Sequence, residues 1–254
     1  MRRSPLRWFP PLSLLLPAVG SGVLLALAFP PFSYGPLVLV ALVPVTVALY
    51  RAPRTPRLFF KTGYVFGCAF FLAHLWWILL LSDASSIRIP WLMGPAVAAI
   101  VLYLGVYHGL FFWLLRLAGG ERRLPILLLG PAMWVVLEWI RSNGELGFPW
   151  AGIGHAFARF PALAQGAAVF GVLGVGAWIV LVNMLWSCAF LARSVRRKAA
   201  FAAAGLVVVA LNVSLGERAI DRVDSTAPDK RTRVALVQPN VDLALKWKPE
   251  FADS

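Results

Sequence analysis

Seven apolar runs fix the kind of fold open to this chain: residues 12–29, 35–50, 61–82, 91–115, 124–140, 166–192 and 199–215. A helix crossing the hydrocarbon core of a bilayer needs roughly 17–25 mostly apolar residues. The runs cover more than half of the 254 residues, and overall 60% of residues are hydrophobic and 14% charged. Soluble domains run nearer ~45–50% apolar and ~25% charged. That contrast excludes a soluble globular enzyme and a disordered tail. The expected fold is an all-α polytopic membrane bundle of about seven transmembrane helices, filling residues 1–215. The second run is the weakest of the seven. It is short, and Pro44 lies inside it, where the missing N–H and the ring both work against a continuous helix.

The formal charge of +13 would point to nucleic acid in a soluble protein. Here it has another origin, because cytoplasmic loops of membrane proteins collect Lys and Arg. With the N-terminus inside, the inner segments carry Arg2, Arg3, Arg7, Arg51, Arg54, Arg57, Lys61, Arg116, Arg122, Arg123, Arg193, Arg196, Arg197 and Lys198. The outer loops carry only Arg88, Arg141 and Arg159. The bias alternates at every crossing, so span count and orientation support one another, and no nucleic-acid partner is expected. A cleaved signal peptide is the rival reading of the start, with a basic Met1–Arg7 and an Ala26-Leu27-Ala28 site. The first apolar run is long for a signal sequence, and six more runs follow it. The implied location is a bacterial inner membrane, with the N-terminus cytoplasmic and the C-terminal segment periplasmic or extracellular.

The chain changes character after residue 215. Residues 216–232 hold Glu217, Arg218, Asp221, Arg222, Asp224, Asp229, Lys230 and Arg231 with the loop formers Ser225 and Pro228. They read as a linker. Residues 233–254 open with Val234-Ala-Leu-Val237, a short continuous apolar run before Gln238-Pro-Asn240. That pattern suits a β-strand buried on both faces of an α/β sheet. One strand is not stable alone, so the segment reads as the start of a further domain.

Glu138 sits near the end of the fifth run, in Trp134-Val-Val-Leu-Glu-Trp-Ile-Arg141. An acid costs about 2.5–3.5 kcal/mol at the bilayer centre and less near the interface, so it needs a partner. Arg141 at i+3 shares its helix face. The expected role is a structural ion pair at the outer interface, with Trp134 and Trp139 as belt anchors. Asn143-Gly-Glu-Leu-Gly-Phe-Pro-Trp150 follows, and Gly147 and Pro149 fix its backbone around Phe148 and Trp150. This loop is either an ordinary aromatic anchor or a re-entrant segment holding two rings against lipid. Gly166, Gly171, Gly174 and Gly176 suggest close helix packing, since no strand precedes them to make a nucleotide fingerprint. His74, His108 and His155 lack metal-ligand spacing, and Cys68 and Cys188 lie in apolar runs. No metal, no cofactor and no catalytic nucleophile is expected within the chain.

Four segments, in order, resemble the N-terminal part of bacterial apolipoprotein N-acyltransferases. They are Leu25-Ala-Leu-Ala-Phe-Pro-Pro-Phe32 with the run 37–45, Glu138-Trp-Ile-Arg141 with Gly147-Phe-Pro-Trp150, Gln165 through Asn183, and residues 234–240 with Lys246-Trp247. The resemblance implies that residues 233–254 begin a nitrilase-like catalytic domain. It also implies transfer of an acyl chain from a phospholipid to the N-terminal diacylglyceryl-cysteine amine of a lipoprotein. Enzymes of this kind use a Glu base, a Lys and a Cys nucleophile that forms a thioester. All three lie beyond the position matched by Lys246-Trp247, and Glu250 falls too early to be the base. Residues 1–254 are therefore expected to be inactive alone, with any catalytic domain continuing the chain or encoded separately. By the same resemblance, Phe148, Trp150 and Trp247 face substrate, while Glu138, Arg141, Gly147 and Pro149 are structural. A transporter subunit and a non-enzymatic scaffold for a separate enzyme are the competing functions.

Overall fold

The computed structural model describes residues 9–53, 55–83, 89–119, 124–226 and 233–238. Every regular element among them is helical: α1 (Leu12–Leu27), α2 (Val43–Arg51), α3 (Pro56–Leu75), α4 (Met93–Gly119), α5 (Leu124–Ser142), α6 (Pro161–Ala164), α7 (Ala167–Leu191) and α8 (Val195–Ser225). Tighter 3-10 turns occupy Gly35–Leu39, Trp76–Asp83, Pro90–Leu92 and Ile153–Phe157. Among the described residues, four helical stretches are long and apolar enough to cross a membrane: Pro56–Leu80, Pro90–Ala118, Ala167–Leu191 and Val195–Ser225. Leu12–Leu27 and the interrupted stretch Gly35–Arg51 are apolar but shorter.

The second predicted run is not one helix. It divides into the 3-10 turn Gly35–Leu39 and α2, with Leu42 as the N-cap and Pro44 inside the first turn of α2. A break of this kind leaves backbone polar groups that lipid cannot satisfy, so the protein interior must. Asn183 of α7 does so. Its Oδ1 accepts from the Leu42 N–H at 2.9 Å, and its Nδ2 donates to the Val38 carbonyl at 2.8 Å and the Ile179 carbonyl at 2.9 Å. Ser21 of α1 supplies a second repair, accepting from the Val45 N–H at 3.1 Å. Both side chains are fully buried.

The core is centred on α3, which packs most extensively on α4 and then on α1. Phe59, Phe66, Phe70 and Phe71 of α3 and Phe111 and Phe112 of α4 are all buried there. His108 lies in the same stack, with ring centroids 5.3 Å from Phe66 and 5.4 Å from Phe71. His74 packs against Phe29 and Phe70. Both histidines act as packing residues, as their place in apolar runs implies.

Two elements depart from the sequence reading. α8 runs on to Ser225, ten residues past the end of the apolar run at 215. Apolarity marks where lipid is, not where a helix stops. Residues 217–223 contain neither Gly nor Pro, and Ala, Glu and Arg among them favour helix, so the first part of the predicted linker is helical. Beyond it, residues 233–238 are exposed and form no regular element, so the predicted strand is not seen.

Seven of the described basic residues gather at one end of the bundle. Arg51 ends α2, Arg57 and Lys61 start α3, Arg116 ends α4, and Arg196, Arg197 and Lys198 start α8. Arg51 donates to the Phe190 carbonyl at 3.2 Å, which joins the ends of α2 and α7. Arg2, Arg3, Arg7, Arg54, Arg88, Arg122 and Arg123 lie outside the described residues.

Candidate functional site

The opposite end carries the Glu138–Arg141 pair and the loop after it. Both side chains are buried, with Glu138 7% and Arg141 3% exposed. Their nearest contact, Arg141 Nη2 to Glu138 Oε1, is 3.5 Å, which is long for a charge-assisted bond. The stronger contacts run to backbone. Arg141 Nη1 donates to the Phe148 carbonyl at 2.6 Å and to the Trp150 carbonyl at 2.7 Å. Glu138 Oε1 accepts from the Ile153 N–H at 2.7 Å. The guanidinium also lies over the Phe71 ring, 5.8 Å from its centroid. The pair therefore acts as a clamp on residues 148–153.

Local sequence makes the clamp possible. Pro149 holds the preceding Phe148 in extended backbone and brings no N–H of its own that would need a partner. Carbonyls two residues apart in an extended segment point the same way, so one Arg nitrogen takes both. The turn before it is closed by the Gly147 N–H to the Gly144 carbonyl at 2.9 Å and the Phe148 N–H to the Arg141 carbonyl at 2.7 Å. Ala151 then takes φ +61°, a left-handed conformation uncommon outside glycine, and the chain turns so that Ile153 reaches Glu138.

α7 closes the site from the other side. Gly171 has φ +67° and ψ 176°, a region open essentially to glycine alone, and it kinks the helix near its start. Gly176 packs against Ile153 and Glu138. Within this helix Gly176 serves packing and Gly171 serves backbone geometry. Gly154 meets α7 so closely that a Cβ there would press on the Val172 carbonyl oxygen, and on Val172 Cγ2 at 2.9 Å. Gly154→Ala is expected to destabilise the protein by about 1–3 kcal/mol, the usual cost of overpacking, read by denaturant unfolding in detergent micelles.

A small cavity of about 20 Å³ adjoins the clamp, lined among others by Tyr107, His108, Trp134, Glu138, Arg141 and Ala151. Trp134 is buried against His108 and Phe111, so it belongs to the interior. It is not the interface anchor that its pairing with Trp139 suggests. Trp139, by contrast, is 56% exposed.

Outward of the clamp lies an aromatic ledge. Trp150 is 54% exposed, with its ring 5.8 Å from Trp77 and 5.5 Å from the half-buried Phe148. Tyr103 and Tyr107 share a 2.9 Å hydrogen bond, and Tyr103 donates to the Leu146 carbonyl at 3.3 Å. The sequence reading missed Tyr103, Tyr107 and the partnership of Trp77 with Trp150. Two hydroxyls at i and i+4 in an apolar run were the available signal. Phe148, Gly147, Pro149, Trp150, Glu138 and Arg141 are brought together, while Trp247 and Glu250 lie outside the described residues.

Residues 21–185 match the family model described as the apolipoprotein N-acyltransferase N-terminal domain. The chain belongs to the apolipoprotein N-acyltransferase family. Curated relatives bearing that name agree. The Geobacter metallireducens protein is 33% identical over 94% of this chain and 45% of its own length. The Methylococcus capsulatus protein is 35% identical over 93% and 45%, and the Rhizobium leguminosarum protein 31% over 90% and 44%. The chain thus spans a little under half the length of these relatives, and its match to the family model contains the whole clamp and ledge.

Proposed function

We propose that this chain is the membrane part of an enzyme that moves an acyl chain from a phospholipid to the N-terminal diacylglyceryl-cysteine amine of a lipoprotein. Its seven apolar runs cross the bacterial inner membrane with the N-terminus cytoplasmic. The clamped loop lies on the periplasmic side. Residues 233–254 begin a nitrilase-like domain, and the exposed segment 233–238 is its first strand, awaiting the partners a strand requires. By the resemblance, the catalytic Glu, Lys and Cys of such enzymes fall after the position matched by Lys246-Trp247, so none of them is assigned to a residue of this chain.

The observation that carries this reading is the Arg141 clamp. Three hydrogen bonds to main chain hold residues 148–153, which presents the Phe148–Trp150–Trp77 ledge as a fixed surface. Aromatic rings at the membrane interface suit acyl chains and glyceryl groups on one side and water on the other. In the proposed enzyme, Phe148 and Trp150 guide the lipid substrates, Trp247 meets them from the catalytic domain, and Gly147 and Pro149 shape the loop.

The test joins residues 1–240 to the remainder of the Geobacter metallireducens relative and follows N-acylation of a lipoprotein by mass spectrometry. The chimaera is expected to transfer acyl chains, and purified residues 1–254 are expected to transfer none. Trp150→Ala in the chimaera is expected to lower turnover about tenfold or more, an aromatic contact of ~1.4 kcal/mol or more, at unchanged abundance. Transfer by residues 1–254 alone, or full activity of Trp150→Ala, would overturn the respective assignment.

A further inference from the structure

The N-terminus of α3, at the basic end of the bundle, lies between two grooves that share the same two cations. One, of about 520 Å³, is lined by Phe9, Pro11, Thr55, Arg57, Leu58 and Lys61. The other, of about 300 Å³, is lined by Arg57, Phe60, Lys61, Leu110 and Trp113. Arg57 and Lys61 are four residues apart and therefore neighbours on one helix face. The rest of the lining is almost wholly apolar, with α3 between the start of α1 on one side and α4 on the other.

We propose that this is a binding site for one two-chain anionic phospholipid. The phosphate sits between Arg57 and Lys61, and one acyl chain descends each groove. Three observations select this occupant. Both grooves converge on the same cation pair, as two chains converge on one headgroup. Among the described residues no acid lines either groove and the first turn of α3 has none, and the two cations share the positive end of a helix dipole, where an anion is favoured. Lys61 is only half buried, and its stem lies along apolar lining, which leaves the ammonium at headgroup depth. Basic pockets of this kind between transmembrane helices suit anionic lipid headgroups.

The site is distinct from the aromatic ledge. Arg57 and Trp77 stand at opposite ends of one helical stretch, Pro56–Asp83, and twenty residues of helix span about 30 Å. The lipid here is held in the opposite leaflet from the ledge and is not consumed. The assignment to the cytoplasmic leaflet rests on the proposed orientation; the site itself does not.

Native mass spectrometry of the full chain in nonionic detergent, titrated with phosphatidylglycerol or phosphatidylcholine of matched chains, tests it. One phosphatidylglycerol is expected to bind at least about tenfold more tightly than phosphatidylcholine. Arg57→Gln with Lys61→Gln is expected to weaken phosphatidylglycerol about 30-fold, at about fivefold per cation near a membrane surface. Arg57→Lys with Lys61→Arg should keep the preference, and so should Arg196→Gln with Arg197→Gln, which removes two cations elsewhere at the same end. Equal affinity for the two lipids, or an undiminished preference in the Gln pair, overturns the site. Loss of the preference in the Arg196, Arg197 pair overturns it too, in favour of diffuse attraction. Displacement by millimolar inorganic phosphate would mark a free-anion pocket and overturn the lipid assignment. The acyl-transfer chimaera reads out separately, so failure of one proposal leaves the other standing.

Discussion

Arg141→Met should be among the most damaging single substitutions at the loop end of this protein, costing about 3–5 kcal/mol. That is the range for breaking a buried ion pair by removing one partner. Methionine keeps much of the volume, so the loss is electrostatic. Glu138 is left as a buried carboxylate without its cation, still bonded to the Ile153 N–H, and the Phe148 and Trp150 carbonyls lose their donor. Arg141→Lys should recover only part of the loss. A single ammonium lacks the planar fork that bonds two carbonyls through one nitrogen while facing a carboxylate with the other. Glu138→Gln combined with Arg141→Met should be less damaging than Arg141→Met alone, because no unpaired charge remains. Denaturant unfolding in detergent micelles, with exposure of Trp150 followed by fluorescence, measures all three. A loss below about 1 kcal/mol for Arg141→Met, the level of an exposed pair, would show that the loop holds itself without the clamp.

The sequence shows this arrangement only in part, and particular residues show why. Apolar runs place the long helices because lipid allows little else, and the i+3 spacing of Glu138 and Arg141 puts them on one face. Nothing in that spacing reveals that Arg141 spends its shortest bonds on carbonyls seven and nine residues ahead. Main-chain partners have no residue signature. Trp134 and Trp139 look alike in sequence, because an indole suits both an interface and an interior; the helix turn between them decides. Pro44 announces that the second run is broken, but the side chain that repairs the break is 141 residues away. α8 passes the end of its apolar run because helix propensity and lipid contact are separate properties that coincide only over part of its length. Family resemblance carried the reading of the Gly147–Trp150 segment further than its own residues could.

That distant repair sets the second large effect. Asn183→Leu is expected to cost about 2–6 kcal/mol, since it leaves the Leu42 N–H and the Val38 carbonyl buried without partners, at about 1–3 kcal/mol each. Hydrogen bonds between transmembrane helices average only ~0.6 kcal/mol, so the size of this one needs a reason. In the average case each group released finds another partner within its own helix. Here neither group can do so. Leu42 precedes the first turn of α2, Val38 lies in the short 3-10 turn before it, and Pro44 offers no N–H to close the gap. Met184→Leu, beside it and equally buried, is the control for packing alone and should cost less than about 1.5 kcal/mol. Hydrogen exchange gives the local readout: the Leu42 amide should lose protection in Asn183→Leu while amides within α3 keep theirs. A protected Leu42 amide, or a cost matching Met184→Leu, would mean that the broken run is held by Ser21 and packing. Should the full loss appear, Asn183 is what lets an interrupted helix survive among apolar neighbours, by supplying from α7 the donor and acceptor that a continuous helix would have supplied to itself.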